Sequence, residues 1–125
     1  MSDDETQRLA TIVRTMWQPI RLQFLTLDPT QVDIDEWALG YVQGFMTGVL
    51  REFDETKNLA RAAQLAQLSY RALFGDAHGT RQWERGRALR HSEFFLQGLD
   101  HGAEEALRWL QAKKSPVGLL EHLNK

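Results

Sequence analysis

The sequence predicts an all-α protein: one compact bundle of about five helices with close, glycine-mediated helix packing. Apolar residues recur at helical spacing along most of the chain, with helix-start signals at Ser2, Asp33 and Ser92. No alternating segment finds a second one to pair with as a sheet. Finally, Gly40, Gly44 and Gly48 sit four residues apart inside the strongest helical segment, 33–53, and Gly98 and Gly102 repeat that spacing. Each glycine inside a helix costs about 1 kcal/mol relative to alanine, so the cost must be offset. The physical candidate is close approach of a second helix or a partner chain to a bare backbone stripe. These five glycines are therefore the expected helix-packing positions.

With 125 residues the chain reads as a single helical domain, 1–125, long enough to bury one core. It divides into an N-terminal helix and linker (1–30), a helical core (33–114) and a short C-terminal helix (115–125). Ser2 and Glu5 form a capping box opening a helix over 3–17, with Leu9, Ile12, Val13 and Met16 as its stripe. Pro19 ends that helix or begins a new segment. The stretch 21–27 reads as a short helix or an extended linker, and Asp28-Pro29-Thr30 is turn chemistry. Asp33 and Glu36 then make a box-like start for the glycine-bearing helix.

A stop-and-restart signal at 53–56 separates it from a helix over about 55–74. The buried face of that helix comprises Leu59, Ala62, Ala63, Ala66, Tyr70, Leu73 and Phe74. Gly75 is placed to be the glycine just past the helix end. Residues 75–79 read as the clearest loop, with Thr80 capping a segment over 81–90. Ser92 starts a helix running to about Lys114. Ser115 and Pro116, a cap with proline at the first helical position, open the last short helix. The two glycine-bearing helices share a glycine-apolar-x-x-glycine core, and a matched pair of this kind could pack antiparallel.

Composition narrows the function. The absence of cysteine excludes disulfides, zinc-thiolate sites and iron–sulfur clusters. The acidic N-terminus has no basic n-region, and no apolar run approaches the ~18 residues of a membrane span, so a cytoplasmic protein is expected. Residues 1–55 carry four arginines against ten acids, whereas 56–125 carry eleven Lys or Arg against seven acids. That split permits self-association and argues against bulk nucleic-acid binding.

No phosphate loop, dinucleotide fingerprint or nucleophile–base constellation is present, so no enzyme activity and no cofactor are expected. His101 and Glu104 are i,i+3 on one helix. The di-iron order Glu-x-x-His is reversed there and its second copy is missing, so no metal is expected.

The features left over suit contact with another protein. Trp83, Arg87 and Arg90 share one helical face, and tryptophan with arginine is what interface rims favour. Trp109 stands at the flank of its helix's stripe, and Leu119, Leu120 and Leu123 line one side of the last short helix. These seven residues are the expected partner-binding positions, with a homodimer as the expected assembly. The alternative is a nucleic-acid-associated regulator using the basic helix 81–90.

The aromatic-and-glycine punctuation of 40–48, with the later Phe95-Leu96-Gln97-Gly98-Leu99 element, resembles that of QslA-type antiactivators of quorum sensing, small all-helical regulatory proteins of pseudomonads. A similar glycine pattern occurs in ribosome modulation factor, which is much shorter and strongly basic. The first resemblance spans residues 34–110. It implies an all-α homodimer that binds the ligand-binding domain of a transcription activator and blocks its dimerisation. No functional residue of that family maps onto a position here.

Overall fold

The computed structural model describes residues 3–25, 27–55 and 57–125. Among them are six helices and no strand, as expected for the all-α class. Helix α1 (Asp3–Arg21) buries Ile12, Met16 and Ile20 at every fourth position. Its expected cap, Ser2, lies outside the described residues. The helix continues through Pro19 instead of ending there. Proline deletes one backbone bond, and here the loss falls in the last turn while the next residue, Ile20, is fully buried.

The connection that follows is non-helical where described. Phe24 packs edge-on against Phe74, with ring centroids 6.3 Å apart. Asp28 Oδ1 accepts from the Thr30 N–H at 2.9 Å and from its hydroxyl at 2.7 Å. These bonds hold the Asp28 carboxyl below its usual value.

Helix α2 (Glu36–Glu52) runs through the centre and is buried on every side, from Ala38 to Leu50. Its cap is Asp35, which accepts from the Ala38 N–H at 2.9 Å. Asp33, the expected start, instead accepts from Gln82 at 2.8 Å and pairs with Arg81 at 2.7 Å. The Gln82 bond, then the Arg81 charge, holds its carboxyl below the ordinary range. Past α2 the buried Glu55 pairs with Arg8 of α1 and with Arg61 Nε at 3.0 Å. Arg61 belongs to α3 (Leu59–Phe74), which is capped by Asn58. Leu59 is 78% exposed, and the buried stripe of α3 begins at Leu65.

Gly75 takes φ +87° and closes α3, bonding the Arg71 carbonyl at 2.9 Å. Residues 76–79, expected to be a loop, form the first turn of α4 (Asp76–Ala88). No side chain caps this turn. Gly79 instead lies against the backbone of Tyr70 and Arg71, and a Cβ there would meet the Tyr70 carbonyl oxygen at 2.6 Å. Ser92 caps α5 (Glu93–Ala112) as expected. Helix α6 (Gly118–Leu123) starts later than Ser115-Pro116 suggest, because its opening N–H, on Gly118, is taken by the Glu105 carboxylate of α5 at 3.0 Å.

All five predicted packing glycines meet along the α2–α5 seam. A Cβ added to Gly40 would overlap the Phe95 carbonyl, one on Gly44 the Leu99 carbonyl, and one on Gly98 or Gly102 the carbonyl of Trp37 or Tyr41. On Gly48 it would meet the Ala106 side chain at 2.8 Å. The pairing order rises together in both helices, so α2 and α5 are parallel, not antiparallel. The cause is the connection: α3 and α4 carry the chain back to the start of α2, where Ser92 donates to Glu36.

Candidate functional site

Trp83 lies half-buried on α4, edge-on to Tyr70 with centroids 5.4 Å apart. Arg87 and Arg90 stand beside it, and the three share a groove of about 290 Å³ with Gln43, Leu96 and Leu99. The four arginines of this segment have different fates. Arg81 is paired with Asp33, and Arg85 donates to the Gln82 side-chain oxygen at 2.6 Å. Arg87 and Arg90 are exposed and have no hydrogen-bond or ion-pair partner among the described residues. Leu96, 43% exposed, borders them from α5. Below the groove Tyr70 donates to Gln43 at 3.2 Å, and burial pushes its phenol pKa well up, so it stays a neutral donor.

The second predicted cluster is divided. Trp109 lies tilted on Phe45 at 5.9 Å and borders a separate groove with Leu22, Val117 and Leu120. Leu119 is fully buried in the core, and Leu123 is partly buried against it. Helix α6 therefore packs on its own domain. A six-residue amphipathic helix cannot stand alone, and its apolar side found the bundle it is tethered to. Leu119 is thus corrected from partner-binding to core. All four tryptophans are partly buried at the edge of that core.

A buried polar chain fastens α6. Gln23 donates to the Tyr41 hydroxyl at 3.1 Å, and Tyr41 donates to Glu105. The Leu120 N–H donates to the Gln23 oxygen at 3.0 Å. Burial first, then the Glu105 carboxylate, pushes the Tyr41 pKa up, so the phenol remains a donor. Glu105, one turn on from His101, lies beside it at 3.3 Å, while Glu104 pairs with Arg108.

Sequence reasoning missed a third group around Trp37. His122 of α6 stacks on its ring at 4.4 Å and reaches Asp35 at 2.7 Å, and His101 tilts against it at 5.6 Å. The i,i+4 pair Trp37–Tyr41 was a visible signal, but the two histidines arrive from distant segments.

Among the described residues no group of three His, Cys, Asp or Glu side chains could hold a metal ion. Ser69 donates to the Leu65 carbonyl at 3.0 Å and Ser92 to Glu36, so both hydroxyls are engaged in structure. No helix among the described residues is long and apolar enough to cross a membrane. The arrangement offers grooves and charge for binding. No protein-family model, curated protein or solved structure matches this chain.

Proposed function

We propose that this is a small regulatory protein that binds another protein through the groove of Trp83, Arg87 and Arg90. One observation carries the reading: two exposed arginines without carboxylate partners flank a half-buried tryptophan and the exposed Leu96. Arginine and tryptophan around an apolar floor are the side chains that dominate interface energetics. The complementary partner is an amphipathic segment bearing acidic residues, whose carboxylates would take the guanidinium groups in two-pronged bonds. In its most specific form, supported by the resemblance to QslA-type antiactivators, the partner is a transcription activator kept from dimerising, and the regulator is a cytoplasmic homodimer. The competing nucleic-acid reading is weakened because Arg81 and Arg85 are already engaged within the fold.

The test is affinity capture from the native host with wild type and with the Arg87→Glu/Arg90→Glu variant, read by mass spectrometry. A protein retained by wild type and lost by the variant supports the reading. Capture unaffected by the charge reversal would overturn it. Binding to nucleic acid with a steep salt dependence, lost in the same variant, would replace it with the alternative.

A further inference from the structure

A cleft of about 640 Å³ opens between the start of α2, the first turns of α5, and α6. That volume falls in the ~300–1,000 Å³ range of small-ligand sites. It shares no residue with the Trp83 groove. Trp37 forms a fixed aromatic wall. Its ring stacks roughly parallel to His122, with centroids 4.4 Å apart, and to Tyr41 at 5.6 Å. Phe94 supplies a second aromatic surface and is left 62% exposed, an unusual cost for a phenylalanine with nothing to cover it.

The charge on the lining is one-sided. Three carboxylates, Asp35, Glu36 and Glu121, line it against one lysine, Lys125, and the imidazoles of His101 and His122. Asp35 is engaged by His122, and Glu36 accepts one bond from Ser92. The Glu121 carboxylate makes no ion pair or hydrogen bond among the described residues. An anionic ligand would meet these carboxylates at close range, even at a helix start, because Asp35 already caps the helix. A neutral apolar ligand would leave them unused.

We propose that this cleft binds a small organic cation, an ammonium group carried on an apolar or aromatic body. The head lies between Glu36 and Glu121, and the body packs against Trp37 and Phe94. The exposed Phe94 ring adds cation–π attraction to the carboxylate field.

The test titrates the full chain with 2-phenylethylammonium chloride and with 2-phenylethanol, which has a similar body but no charge. The indole N–H resonance of Trp37 is followed by NMR. The ammonium should saturate that shift at least about fivefold more tightly than the alcohol, and Glu36→Gln or Glu121→Gln should each weaken it about threefold. Glutamine at position 36 can still accept from Ser92, and Glu121 is exposed, so both variants keep the fold, as a thermal melt will check. Phe94→Ala should weaken both probes. Equal affinity for the two probes would overturn the proposed charge selectivity. No shift at Trp37 with either would overturn the site. A tri-arginine peptide that binds where neither probe does would assign the cleft to a protein segment and overturn the small-ligand proposal.

Discussion

The α2–α5 seam and the attachment of α6 hold the same bundle together by opposite means. The seam works by omission. Five glycines and Ala106 remove side chains, so backbone meets backbone over nearly the whole length of α2. Dispersion contacts between the two main chains must offset the helix propensity those glycines give up. Helix α6 works by specific additions: one buried leucine, the Glu105 bond to Gly118, the Gln23 bond to Leu120, and the His122–Asp35 pair. The seam should therefore fail when atoms are added, and the α6 junction when atoms are removed.

Gly44→Ala should give the largest effect. The new methyl would overlap the Leu99 carbonyl, a backbone group that cannot swing aside, so the helices must part. A loss of about 3 kcal/mol or more is expected, read from the urea midpoint. A midpoint within error of wild type would remove the basis for the seam. Leu119→Ala comes next. It empties a fully buried position under α6 and should cost about 2–3 kcal/mol, lowering the melt of the whole domain in one transition. If only a local change appears, with the main melt intact, α6 is an appendage and the comparison collapses.

Tyr41→Phe should cost about 1–2 kcal/mol, because Gln23 and Glu105 each lose a buried partner. Hydrogen exchange at the Leu120 amide should accelerate in this variant, and unchanged protection there would mean the polar chain does not fasten α6. Gly86→Ala is the smallest expected effect and has the opposite sign. A Cβ at this helical glycine would meet only Phe95 and Tyr70 side-chain atoms at 3.8 Å, ordinary contact distance. Alanine's better helix propensity should then stabilise by about 0.5–1 kcal/mol. Destabilisation by calorimetry would show that α4 also depends on a bare backbone.

The contrast between Gly44 and Gly86 marks where sequence reading works. Spacing exposed the packing glycines: 40, 44 and 48 recur on one helical face, and 98 and 102 match them. Gly79 has no such partner in the sequence. Its turn read as a loop because the backbone that holds it, at Tyr70 and Arg71, arrives by folding back. The Trp83 groove was half legible. Periodicity put Trp83, Arg87 and Arg90 on one face, but the loss of Arg81 to Asp33 is a contact across 48 residues. The Trp37 cleft was not legible, since its ring partners come from three helices.

By itself the sequence determined the helical class, most of the segments, and the fact that two helices pack at their glycines. Those properties are local, set by the 3.6-residue period, by capping groups and by the absence of Cβ atoms. Tertiary structure alone decided that the two helices run parallel, that α6 belongs to the core, and which arginines of α4 are engaged within the fold. A glycine ladder with a four-residue repeat looks the same from either end, so it cannot encode direction. The α3–α4 return, which delivers Ser92 to Glu36, chose it. A leucine stripe likewise states that it must be covered but not by what, and with Gly118 only thirteen residues from Glu105, it was covered by its own chain.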